Sequence, residues 1–211
     1  MKIERIREGI KEEVIRHGKT TVNLGLKMID EAKSDCNASQ KMIRWIEDVI
    51  KIIDEKIIEN QIKAKRALDR NEEKLAREIV YITKILEVLN RKLTNIKEKI
   101  KKREKKVLKT IKKIEVSSEK IDELIKQEIN INSLGNIIKQ INEEYRNLLT
   151  LERYVKELNR TINIGRNLIE KTRTIIEEGI TSEEIKDIVK FIGEEEIQKL
   201  VNETIRHLKR I

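Results

Sequence analysis

Residues 79–114, IVYITKILEVLNRKLTNIKEKIKKREKKVLKTIKKI, decide the fold. Ile79, Leu86, Leu93, Ile100, Val107 and Ile114 recur every seven residues, with Ile82, Leu89 and Ile96 three residues behind the first of them. Two apolar rows at this offset have the a/d form of a heptad seam, which buries one stripe of a long helix against another helix. No Pro or Gly interrupts the chain from Gln40 to Val116. One continuous helix over that span is therefore expected.

The same period extends in both directions. Upstream, Ile15, Val22, Ile29, Cys36, Ile43, Ile50, Ile57 and Ala64 form one row, and Gly18, Gly25, Ala32, Ser39, Ile46 and Ile53 form the other. The small residues of the second row would let a neighbouring helix approach closely. Between Ala64 and Leu68 the seam shifts by four residues, a stutter that should locally unwind a supercoil. The run Ser34, Asp35, Cys36, Asn37, Ala38, Ser39 is rich in turn and N-cap residues. It predicts a tight turn and a new helix from about Ser39, with an unbroken helix as the alternative because the heptads pass through it.

Downstream, Ser117, Ser118 and Glu119 read as a turn and helix start. A returning arm follows, with a soft patch at Asn130–Asn136 and then the rows Ile141, Leu148, Val155, Ile162, Ile169, Ile176 and Leu151, Leu158, Gly165, Thr172. Gly179 ends that arm. Thr181 with Glu184 fits a capping box for a short helix, Ser182 to Ile192. Gly193 and the acids Glu194, Glu195 and Glu196 then suit the start of a last helix.

The expected fold is all-α: a long antiparallel coiled-coil hairpin over 39–178 with its tip near 117, an N-terminal helix, 1–38, packed on its base, and a C-terminal helical pair, 179–211. On that plan the base holds three or more helices and the distal part only two. Composition agrees with the class. Of 211 residues 40% are charged and 2% aromatic, with seven glycines and no proline, which suits long Ile/Leu/Lys/Glu helices rather than sheets. One internal similarity stands out. Thr21–Lys33 (TVNLGLKMIDEAK) aligns without gaps with Thr161–Arg173 (TINIGRNLIEKTR), a match that a common heptad makes cheap and that reads first as coincidence of pattern, the alternative being two glycine-bearing helices that meet at Gly25 and Gly165.

Cys36 is the only cysteine, so an intrachain disulfide is excluded. The opening residues are charged throughout and form no signal-peptide core, and no stretch nears the ~20 apolar residues of a membrane span. A soluble cytoplasmic protein is expected.

The inventory argues against catalysis. His17 and His207 are the only histidines, and neither has Cys or His at metal-ligand spacing. Glycines occur singly, so no phosphate-binding loop is present. The carboxylates lie among lysines at i, i+4 spacing, as surface ion pairs do. No enzyme activity, cofactor, metal or small-molecule substrate is expected.

Charge placement is the informative feature. Arg91, Lys92, Lys97, Lys99, Lys101, Lys102, Arg103, Lys105, Lys106, Lys109, Lys112 and Lys113 are set against only Glu98 and Glu104. That is net +10 between residues 91 and 113, in a chain of net +9. These twelve are the candidate binding residues for an anionic partner, with nucleic acid favoured because Lys/Arg clusters attract phosphate backbones by counterion release. No aromatic residue lies within the stretch, so base stacking is not indicated there. Membrane lipid ranks below nucleic acid, since Trp and Phe anchors are missing from the basic stretch. The rival expectation is a structural protein that self-assembles, either through its seams or head to tail. For the latter, Glu177–Glu196 supplies eight acids against Lys186 and Lys190.

Overall fold

The computed structural model describes residues 2–127, 130–178, 189–190 and 193–210. Among them are four α-helices and no strand: α1 Lys2–Asp69, α2 Glu73–Lys126, α3 Ile131–Glu178 and α4 Glu194–Leu208. The all-α class follows from the heptads as expected. The boundaries differ from the sequence reading at three places, each for a local reason.

The turn expected at 34–39 is absent, and α1 runs through it. Its turn-forming residues are accommodated within the helix. Ser39 is fully buried and its hydroxyl donates back to the Cys36 carbonyl at 2.8 Å, so the polar group is satisfied at a seam position. Cys36 is buried beside it. Burial, with the nearby Glu104 and Asp35 charges, pushes its thiol up to about 11, which keeps it protonated at neutral pH.

The helix expected to run unbroken from Gln40 to Val116 instead ends at Asp69 and restarts at Glu73. Asn71 takes the glycine role with φ 60°. The Asn71 amide donates to the Leu68 carbonyl at 2.9 Å and the Glu72 amide to the Ala67 carbonyl at 2.8 Å, the pair of bonds that closes a Schellman motif. The four-residue shift between Ala64 and Leu68 therefore marks the approach to a helix end and not a stutter. Left-handed backbone costs most L-residues about 1–2 kcal/mol, and Asn less. Asn71→Ala should lower stability by about 1 kcal/mol while Asn71→Gly leaves it unchanged or raises it, as read by urea denaturation.

Ser117 and Ser118 do not form a tip, because α2 continues to Lys126. Both are buried. Ser117 donates to the Ile114 carbonyl at 3.1 Å and Ser118 to Glu144 Oε1 at 2.7 Å. The break comes later, where Asn130 caps α3: its Oδ1 accepts from the Ser133 amide at 3.0 Å, and Ser133 Oγ accepts from the Asn130 amide at 2.6 Å. This reciprocal box makes the soft patch Asn130–Asn136 the cap and opening turns of α3. At the C-terminus α4 begins after Gly193 as expected. The short helix expected at 182–192 lies outside the described residues except Val189 and Lys190, which are helical.

Two compact units result, each taking a part of α1, α2 and α3. Unit 1 is Met1–Gln40 with Ile100–Arg160. Here α1 and α2 run antiparallel, with Lys33 opposite Glu115 at 3.3 Å and Gln40 opposite Glu104 at 2.6 Å. The α3 segment runs antiparallel to α2, pairing Arg103 with the Glu157 carbonyl and Ser118 with Glu144, and parallel to α1, pairing Asp35 with Asn159 at 3.2 Å. The lysine-rich end of the chain thus has three helices, where two were expected. Continuity of α1 through residue 34 and close approach at Gly18 and Gly25 bring the third helix in. The core includes Val22, Ile29, Ala32, Ile100, Val107, Ile114, Ile121, Ile137, Leu151 and Leu158.

Unit 2 is Lys41–Lys99 with Thr161–Ile211. Its α1 and α2 segments are also antiparallel, with Glu47 opposite Lys97 at 3.5 Å and Asp54 opposite Asn90 at 2.5 Å, one heptad apart on each helix. The guanidinium of Arg173 on α3 lies 5.4 Å from the ring centre of Trp45 on α1. Helix α4 buries Ile197, Val201 and Ile205. It is tied to the end of α1 and the start of α2 by Lys65 to the Leu208 carbonyl at 3.2 Å, Arg77 to Asn202 at 2.7 Å and Lys209 to Glu73 at 2.7 Å.

The internal similarity is a similarity of packing. Thr21, Val22, Gly25, Ile29 and Ala32 are buried in unit 1, and Thr161, Ile162, Gly165, Ile169 and Thr172 are buried at the matching positions in unit 2. The glycines face other partners, not each other. Gly25 faces Glu144, Ile114 and Ser118, whereas Gly165 faces Ile96, Met42 and Ile46.

Candidate functional site

The expected site residues all lie on α2, but the fold sorts them into two groups. In unit 2, Arg91 and Lys99 are exposed, whereas Lys97 is 19% exposed and paired with Glu47. Lys92 is half-buried, and burial lowers its ammonium below the usual lysine range. These four do not share one open face.

In unit 1 the arrangement is tighter. Lys101, Lys102, Lys105, Lys109, Lys112 and Lys113 are all exposed. At 3.6 residues per turn they fall within an arc of roughly 120°, and at 1.5 Å per residue they extend over about 18 Å of helix. The heptad explains the placement. Ile100, Val107 and Ile114 occupy the buried row and are wholly buried, so residues midway between them point outward.

Of the acidic residues nearest this row on α2, Glu104 and Glu115 are turned away or neutralised, while Glu98, three residues before Lys101, is exposed. Glu104 is buried and accepts two bonds from Gln40 Nε2, at 2.6 and 2.7 Å. Glu115 pairs with Lys33. The stripe therefore keeps a single sign across its centre. A surface lysine row held at helical spacing, with Glu104 and Glu115 occupied elsewhere, presents a concentrated positive field.

Arg103 and Lys106 belong to the edge of the site. Arg103 is half-buried and its guanidinium donates to the Glu157 carbonyl at 2.8 Å. The Lys106 ammonium lies 5.3 Å from the Tyr154 ring centre, and the Arg153 guanidinium lies 5.1 Å from the same ring. The basic stretch itself contains no aromatic residue. The fold brings one beside it from α3, about fifty positions away, where no local signal could have indicated it.

Elsewhere the inventory yields little chemistry. His17 and His207 are both exposed, and His17 lies 3.4 Å from Glu13. Among the described residues no three His, Cys, Asp or Glu side chains are grouped to hold a metal ion, and no helix is long and apolar enough to cross a membrane. A cleft of about 590 Å³ lies between the start of α1 and the start of α3, lined by Ile6, Ile10, Val14, Ile138 and Ile141 among others. No protein-family model, curated protein or solved structure matches the chain.

Proposed function

We propose that the chain is a non-enzymatic helical scaffold, built on coiled-coil seams, whose lysine stripe on α2 engages the phosphate backbone of nucleic acid. The carrying observation is the single-signed row Lys101, Lys102, Lys105, Lys109, Lys112 and Lys113, with Glu104 buried behind it. Duplex DNA carries one negative charge per about 1.7 Å of axis, so ~18 Å of stripe faces an excess of phosphates along any docked duplex. Such contact is sequence-blind, since ammonium groups read charge and not base edges.

Fluorescence anisotropy with duplex DNA and duplex RNA across ~50 to ~200 mM salt tests this reading. Six contacts give an expected slope of log K against log salt of about −5. Absence of binding at the lowest salt, or a flat salt response, would remove nucleic acid as the partner.

One observation favours a second reading, self-assembly through helix faces. Ile3, Ile6 and Ile10 form an exposed apolar stripe on α1, at 69%, 57% and 52% exposure. Sedimentation at rising protein concentration separates the readings, because a strict monomer at high concentration excludes the assembly role.

A further inference from the structure

Glu144 is the most unusual residue in unit 1. It lies in a buried seven-residue row of α3, Ile137, Glu144, Leu151 and Leu158, and is itself fully buried. Its Oε1 accepts from Ser118 at 2.7 Å, while Oε2 is buried with no hydrogen-bond partner. One helical turn earlier, the amide oxygen of Gln140 is likewise buried and unpartnered. Residues four apart share a face of a helix, so the two orphan acceptors belong to one face of α3, a turn apart. An ionised carboxylate in this position leaves both unsatisfied, at considerable cost.

None of the described residues that meet this carboxyl is a cation. From α1 the group meets Gly25, with Thr21, Val22 and Ile29 buried along the same face. From α2 it meets Ser117 and Ser118, and feels the charge of Asp122, which has the wrong sign. Space is short as well, since a Cβ on Gly25 would stand 2.6 Å from Oε1. A proton is the cation that needs no volume.

We infer that Glu144 is held as the neutral acid in folded unit 1, its Oε2–H donating to the Gln140 amide oxygen, so that one proton taken from water satisfies both orphan atoms and links packing of this layer to pH. Burial acts in the same direction, raising the carboxyl above its usual range, with Asp122 adding to it and the Ser118 and Ser117 hydroxyls opposing. The sign of the linkage follows. A group whose folded value is raised stabilises most below its unfolded value, near 4.5, and that contribution is lost as pH rises through the folded value. Unit 1 is therefore expected to loosen from about pH 4.5 upward relative to a chain with a neutral side chain at 144.

Two measurements on the full chain test this. In a carbon-13 NMR titration, the Glu144 carboxyl of the wild-type protein is expected to titrate above its ordinary value of 4.5, and Gln140→Met to shift its midpoint downward by removing the acceptor of the neutral form. A Glu144 midpoint at or below that ordinary value overturns the inference. So does an unchanged or upward shift with Gln140→Met, which would mean that the amide nitrogen faces a carboxylate. In the second, the melting temperature of Glu144→Gln minus that of wild type is expected to grow between about pH 4.5 and about pH 8, and a pH-independent difference contradicts the linkage. The titration needs only the wild-type chain, so it decides the matter even where a variant fails to fold.

Discussion

Lys102→Glu, Lys105→Glu, Lys109→Glu and Lys112→Glu combined are expected to weaken duplex binding by about a thousandfold near ~0.1 M salt and to flatten its salt dependence. The magnitude follows from counterion release. Each contact adds about −0.9 to the slope of log K against log salt, so at ~0.1 M salt it is worth somewhat less than a factor of ten relative to ~1 M. Removing four of six lysines leaves an expected slope of about −2 in place of about −5, and the new carboxylates add repulsion. All four side chains are exposed on the outer face of α2, so the variant should keep its fold. Anisotropy over the same salt series, with circular dichroism for helicity, reads both effects. The control is Arg91→Glu with Lys99→Glu, two exposed residues outside the 101–113 row, for which only a small loss is expected. An equal loss per substitution in the two variants would show that net charge, and not the stripe, governs binding.

Gly25→Val should cost about 3 kcal/mol of stability, the largest effect expected of a single substitution in unit 1. A Cβ at Gly25 would lie 2.6 Å from Glu144 Oε1, 3.2 Å from Ile114 Cγ2 and 3.4 Å from Ser118 Oγ. The first of these atoms is the end of a side chain, but it is fully buried and held by Ser118, so moving it strains or breaks a buried bond, with only the Ser117 hydroxyl near by as a second donor. Overpacking a core costs typically about 1–3 kcal/mol and a lost buried bond about as much again. Better helix propensity than glycine returns only a few tenths. Gly9 offers the contrast. Nothing lies within 4 Å of its added Cβ, so Gly9→Val should change stability by less than about 0.5 kcal/mol. Urea denaturation followed by circular dichroism measures both. A Gly25 variant as stable as wild type would show that this layer has room to repack.

The lysine stripe and the Gly25 layer mark how far the pattern can be read. The heptad rows Leu86 to Ile114 and Leu148 to Ile169 locate the buried faces from spacing alone, because apolar side chains at seven-residue intervals have one way to leave water together. The same rows place Lys101, Lys102, Lys105, Lys109, Lys112 and Lys113 outward by subtraction. Helix ends are harder. Ser34–Ser39 and Ser117–Ser118 have turn chemistry but lie within helices, where Ser39, Ser117 and Ser118 bond back to the helix or across to Glu144. The true end at Asn71 has weaker local signals, and what makes it an end is the Schellman bonding of Asn71 and Glu72.

From the sequence by itself come the all-α class, the seam positions, the last helix after Gly193 and the confinement of positive charge to residues 91–113. Periodicity and net charge are local sums, and local sums survive folding. Tertiary structure alone decided that three helices share unit 1, that Glu104 turns inward so the lysine stripe keeps one sign, that Tyr154 stands beside Lys106, and that Gly25 and Ser118 make room for a buried Glu144. Each of these depends on which side chain from a distant segment fills the facing position, and a heptad fixes which positions face inward without naming the residue opposite.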